Sequence, residues 1–163
     1  SEQIVVLTGT NTLTSQTAVQ PIFDGGGGPT NGAVTLPVGT YQFECVFYLT
    51  GMSATSGSFG FALGGTATKT QAWTSNSAKT TTVSAGVTSN STFNVGANTA
   101  LQTGSTGTAG YALIKGIIRV TVTGTVIPQV SLTVAAAAII QPNSYFKVSP
   151  VGSSTVATVG NWS

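Results

Sequence analysis

The sequence predicts an all-β domain, an antiparallel β-sandwich wound as a jelly roll of about 8–10 short strands. Apolar residues recur at every second position in several segments, helical periodicity is absent, and clusters of Gly, Pro, Asn and Asp punctuate the chain at short intervals. No shift in composition divides the 163 residues, so 1–163 reads as one domain.

The first apolar run, Ile4 to Leu7, is a short strand. The rest of residues 1–30 carries a weaker pattern and is either an edge strand of the domain or an arm that contacts a neighbour. The glycine run Gly25 to Gly28 lacks a Gly-Lys-Ser/Thr ending, and no helix pattern follows it. Phosphate binding wants backbone amides backed by a helix N-terminus, so the run reads as a surface loop. Asn31-Gly32 and Pro37-Val38-Gly39 are turns on either side of a strand at Val34 to Leu36.

The strongest strand signal follows, from Tyr41 to Leu49. Its odd positions, Tyr41, Phe43, Cys45, Phe47 and Leu49, are all apolar and belong on a buried face, with Gln42, Glu44, Val46 and Tyr48 outward. Phe59 to Leu63, Gln71 to Thr74 and Thr80 to Ser84 are further strands, with a turn at Gly64-Gly65 and another between Gly104 and Gly110. Alternation returns from Ile114 to Val122 with even positions inward, which leaves Lys115, Ile117, Arg119 and Thr121 outward. Val130, Leu132 and Val134 continue the scheme. Ala135 to Ala138 follows a clear strand and precedes Pro142, so it reads as a strand end and loop rather than a helix. After a turn at Pro142-Asn143-Ser144, Phe146 and Val148 mark the last strand.

Charged residues make up 5% of the chain, where an average domain carries about 25%. Thr, Ser, Asn, Gln and 21 glycines supply the polarity instead. A neutral, hydroxyl-rich skin suits a protein packed against copies of itself better than a free monomer, which usually stays soluble through interspersed Lys and Glu. Lys69, Lys79, Lys115, Arg119 and Lys147 are scattered and the net charge is +2, so nucleic-acid binding is not expected. The longest apolar run, Val134 to Ile140, is far short of the roughly 20 residues of a membrane span. Ser1-Glu2-Gln3 has no signal-peptide character, and a serine start fits either removal of an initiator Met or an excised domain.

The chemistry of catalysis is thin. Histidine, the commonest general base at neutral pH, is absent, and the acids are Glu2, Asp24 and Glu44 alone. Hydrolysis by paired carboxyl groups would have to use Asp24 with Glu44, and the alternation makes these a turn residue and an outward strand residue. Cys45 is the single cysteine: it excludes a disulfide within the chain, faces inward and has no histidine to activate it. A Ser-Lys dyad has no motif behind it. One Asp and two Glu make no ordinary calcium cage. No catalytic, cofactor or metal site is therefore predicted. Asn90-Ser91-Thr92 and Asn161-Trp162-Ser163 match the glycosylation triplet by chance in a chain so rich in these residues. The outward apolar residues Val46, Tyr48 and Ile117, and Trp162 near the C-terminus, are the candidates for contact with other subunits.

The segment Val34-Thr35-Leu36-Pro37-Val38-Gly39-Thr40-Tyr41-Gln42-Phe43-Glu44 resembles a phrase of the jelly-roll domains of tailed-bacteriophage structural proteins, and is similar to the globular heads of the complement and tumour-necrosis-factor superfamily. The segments Phe59 to Ala67, Ala112 to Val120, Gln129 to Leu132 and Ser144 to Val148 follow in the order those phage domains use. The resemblance covers most of the chain from Val34 onward. It implies a homotrimer in the virion, either a decoration (cement) protein on the major capsid protein or the receptor-binding tip of a tail or head fibre that contacts host surface glycans. It carries no catalytic residues. A chain with no heptads, repeats or shaft favours decoration over fibre.

Overall fold

The structure, a computed structural model, describes residues 2–24, 30–80, 87–92, 99–102 and 106–152. Among these residues it contains thirteen strands: β1 (Gln3–Val6), β2 (Asn11–Thr12), β3 (Gln20–Pro21), β4 (Val34–Leu36), β5 (Gly39–Thr50), β6 (Phe59–Gly64), β7 (Thr68–Thr80), β8 (Val87–Thr92), β9 (Thr99–Gln102), β10 (Gly110–Val122), β11 (Gly124–Leu132), β12 (Ile139–Ile140) and β13 (Tyr145–Gly152). The one helical element among the described residues is a 3-10 turn at Thr30–Gly32.

The strands form two antiparallel sheets packed against each other. The larger runs β1-β13-β5-β10-β7-β8, with β12 alongside the end of β5 and β2 beside β12. The smaller runs β3-β11-β6-β9, with β4 also on β11. From β4 onward the chain crosses repeatedly between sheets, so neighbours in space are distant in sequence: β1 pairs with β13, β5 with both β10 and β13, and β6 with β11. That nested winding is a jelly roll.

The alternation places the core as expected except at the end of β10, where Val122, an even position expected inward, is 55% exposed beyond the register shift that separates it from Val120 in the pairing with β7. Tyr41, Phe43, Cys45, Phe47 and Leu49 of β5 are buried, as are Ala112, Ile114, Ile118 and Val120 of β10. Phe59, Phe61 and Leu63 of β6 and Val126, Val130 and Leu132 of β11 supply the smaller sheet's share of the same cluster. Phe43 packs on Phe146 within the larger sheet, with ring centroids 6.0 Å apart. Ala135 to Ala137 lie in a loop, and Ala138 closes it as a fully buried residue.

The count of strands exceeds the expected number because β2, β3 and β12 have two residues each and β9 only four, too few to show a period, and β8 is almost wholly polar. The predicted strands at Gln71 to Thr74 and Thr80 to Ser84 prove to be parts of one longer strand as far as they are described. β7 runs from Thr68 to Thr80 and follows β10 over nearly its whole length. Residues 81–84 lie outside the described residues, as does the glycine run. β11 ends at Leu132, two residues before Val134. It tolerates Pro128 because that residue falls between the stretches paired to β4 and β3, where its carbonyl accepts the Ile22 N–H at 3.0 Å.

The N-terminal residues are woven into the sandwich. β1 is the edge strand of the larger sheet, and Gln3 donates its side-chain amide to the Thr35 carbonyl of β4 across the sandwich at 3.1 Å. Leu7, Leu13, Ile22 and Phe23 all enter the core.

Candidate functional site

The outward face of the larger sheet is built by the positions opposite those core rows. Strand register carries one row from Val6 on β1 through Tyr145 on β13 and Val46 on β5 to Leu113 on β10. Its neighbour runs Ile4, Lys147, Glu44, Lys115 across the same four strands. Beyond it, Ser149 pairs with Gln42 and Gln42 with Ile117; on the opposite flank, Tyr48 pairs with Tyr111. Tyr48 and Tyr111 are 43% and 42% exposed, Ile4 and Val6 54% and 43%. Val46, Leu113, Ile117 and Tyr145 are half-buried.

Three of the four residues picked out as contact candidates therefore share this face: Val46 at its centre, Tyr48 at one end and Ile117 at the other. Ile117 is in register with Trp73 of β7 as well as with Gln42. Trp162 lies outside the described residues. Reading outward positions along β5 and β10 found the first three. Ile4, Val6, Tyr111, Leu113 and Tyr145 were missed, although the same alternation, applied to the outward side of β1 and β13, marks Ile4, Val6 and Tyr145.

A depression of about 260 Å³ opens in this face, lined by Glu2, Gln42, Phe43, Glu44, Lys115, Lys147 and Ser149. Four of the chain's eight charged residues meet here. Tyr145 donates its hydroxyl to Glu44 Oε1 at 3.0 Å, and Ser149 donates to Glu2 Oε2 at 2.9 Å. Lys147 Nζ stands 3.8 Å from the same Glu2 oxygen, with both side chains nearly half exposed, so that pair contributes little to stability. Burial pushes the Tyr145 hydroxyl above its ordinary pKa, and the Glu44 carboxylate adds to the shift.

Asp24 does not line this depression; the second carboxylate beside Glu44 is Glu2. Asp24 is exposed and follows the buried Phe23. Ser149, the serine that lines this depression, donates its hydroxyl hydrogen bond to Glu2 and not to a lysine that could act as its base. Cys45 is fully buried, and burial pushes its thiol well above the ordinary value, away from the reactive thiolate. Among the described residues no group of three or more His, Cys, Asp or Glu could hold a metal ion, and no helix is long and apolar enough to cross a membrane. The face can thus offer apolar contact, aromatic rings and a small set of alternating charges.

No protein-family model, no curated protein and no solved structure matches this chain.

Proposed function

We propose that this chain is a non-enzymatic structural subunit of a bacteriophage particle that assembles with copies of itself, a homotrimer being the expected form. The observation that carries the reading is the outward face of the larger sheet. In a chain with so few charges, it places Ile4, Val6, Tyr48 and Tyr111 in solvent around half-buried Val46 and Leu113. A contiguous apolar face of this kind marks a contact surface. The jelly-roll winding agrees with the resemblance to phage structural domains, and the hydroxyl-rich surface suits contacts that strip little water from unpaired ions.

Within the particle we favour decoration of the capsid surface, bound to the major capsid protein. Many weak contacts repeated over a symmetric shell add up by avidity. Receptor binding at a fibre tip is the second reading. It is favoured by the depression around Glu44, whose carboxylates, lysines and Gln42 amide are groups that hydrogen-bond sugar hydroxyls.

Light scattering tests the assembly: a mass of three chains is expected, and a monomer at high concentration removes the reading for the isolated protein. Imaging labelled protein on intact virions separates the roles, with signal over the head supporting decoration and signal confined to the tail favouring the adhesin. Replacing Glu2, Asp24 and Glu44 together probes the absence of catalysis. Loss of a hydrolytic activity in a folded triple variant would overturn it.

A further inference from the structure

We infer that the row Lys147, Glu44, Lys115 is the recognition element by which a second copy of this chain docks on the outward face of the larger sheet, Lys115 of one copy pairing with Glu44 of the next. The inference rests on the self-assembly reading above and names its surface and its polarity.

Lys115 and Glu44 are register neighbours on β10 and β5. They do not form an ion pair within the chain, since the only one among the described residues joins Lys147 to Glu2. Glu44 instead accepts from Tyr145, on the strand at its other side, through Oε1. Lys115 is exposed. Among the described residues, the face thus carries on β10 an ammonium in no ion pair, and beside it a carboxylate whose Oε2 accepts no hydrogen bond.

The four charges around the depression, Glu2, Glu44, Lys115 and Lys147, cancel. Along the row the sign alternates, plus, minus, plus. An acidic or basic partner would call for a single sign. A neutral row of alternating sign gives every copy both an ammonium and a carboxylate, so Lys115 of one copy can meet Glu44 of the next at each of the equivalent head-to-tail contacts of a closed ring. The flanking groups favour the same occupant. Val46, Leu113 and Tyr145 on one side and Ile117 on the other are half-buried apolar groups, which exclude water around a pair formed between them when a second face covers them. Charge placed inside an apolar contact sets register and partner choice more than affinity.

Charge reversal with light scattering tests this. Lys115→Glu and Glu44→Lys should each weaken self-association by about tenfold or more, with far-UV circular dichroism and melting temperature close to those of the parent. The double variant Lys115→Glu/Glu44→Lys should recover most of the loss. Lys115→Gln, a milder change at an exposed site, should give an intermediate loss and guards against misfolding of the reversals. Reversals that leave the oligomer mass unchanged overturn the docking face while self-assembly stands; a monomeric parent protein overturns self-assembly itself. A double variant no better than the singles overturns the pairing. Binding of a host envelope saccharide that Lys115→Gln abolishes, with oligomer mass unaltered, would also overturn it and give the depression to the sugar.

Discussion

Phe47 of β5 meets Phe59 of β6 edge to face, with ring centroids 5.9 Å apart and ring planes inclined at 69°. The two residues belong to different sheets, so this pair ties the layers of the sandwich together. Both rings are buried, and edge-to-face geometry adds to the burial of their area. Phe47→Ala is expected to cost about 3–5 kcal/mol in chemical denaturation. Val46→Ala, one residue along on the outward face, should cost about 1 kcal/mol or less in the monomer. Equal costs would mean that the inward and outward assignments of β5 are wrong.

The turn after β6 makes a sharper prediction. Gly65 has φ +105°, and a Cβ there would collide with the Thr125 carbonyl, so strain and clash coincide. Thr66 and Thr125 clasp the same turn through their backbone amides and hydroxyls. Gly65→Ala should destabilise by more than about 1 kcal/mol. At Gly64 the atoms nearest an added methyl belong to the end of the Gln129 side chain, which can swing aside, so Gly64→Ala should be milder. Thermal melts of the two variants decide it.

These features differ in how far the sequence revealed them. β5 and β10 were legible because each has one wet and one dry face, which writes a period of two into Tyr41 to Leu49 and Ile114 to Val120; it fails at Val122, where the strand end is exposed on both sides. β8, Val-Thr-Ser-Asn-Ser-Thr, has no such contrast, and its strand character comes from main-chain pairing with β7. The contact face was half legible: Val46, Tyr48 and Ile117 stand out as apolar residues among polar outward neighbours. The depression was not, because Glu2, Glu44, Lys115 and Lys147 come from four separate strands or their ends, and only the order β1-β13-β5-β10 brings them together.

Cys45 should be silent in the native state. It is fully enclosed on β5, and burial holds it as the thiol, whereas alkylation needs an exposed thiolate. Mass spectrometry after treatment with iodoacetamide should find no adduct on the folded protein and one adduct in denaturant. Rapid labelling of the native protein would show that the sandwich opens at β5.

The hydrogen bond from Tyr145 to Glu44 predicts a dependence on alkaline pH. The hydroxyl's pKa is raised in the folded protein above the ordinary 10.0 by burial and then by Glu44. Below that value both folded and unfolded chains hold the proton, and the contribution is fully present. As pH rises past it the unfolded chain ionises first, so stability falls until the folded hydroxyl ionises too. Tyr145→Phe should be less stable than the parent at neutral pH by about 1 kcal/mol, and the gap should close above the ordinary tyrosine value. Tyr41 and Lys69 also have shifted values, but they are common to both proteins and cancel in the difference. A gap that stays constant across this range would show that the hydroxyl carries no such linkage.

Gln20 provides the last test, of whether the N-terminal stretch belongs to the domain. Its side-chain amide lies flat against the backbone of Thr14: Oε1 accepts the Thr14 N–H at 2.9 Å while Nε2 donates to the Thr14 carbonyl at 3.0 Å. The amide thus imitates a paired strand and closes the loop between residues 14 and 20. Asn11 does related work nearby, donating Nδ2 to the carbonyls of Pro21 and Ile22. Together they hold the segment that sends Ile22 and Phe23, both fully buried, into the core. Gln20 is itself buried, so a replacement that cannot both donate and accept leaves polar groups unmatched. Gln20→Glu keeps the acceptor, loses the donor and adds a charge; Gln20→Ala loses both bonds. Each should cost about 1–3 kcal/mol, Glu more at neutral pH than in acid, where its protonated carboxyl regains a donor. In hydrogen exchange the Thr14 amide should lose its protection in Gln20→Ala while amides in β5 and β10 keep theirs. An N-terminal arm that docks only on a neighbour would behave otherwise: the substitution would leave the stability of the isolated chain unchanged, and Thr14 would exchange freely in the parent protein too.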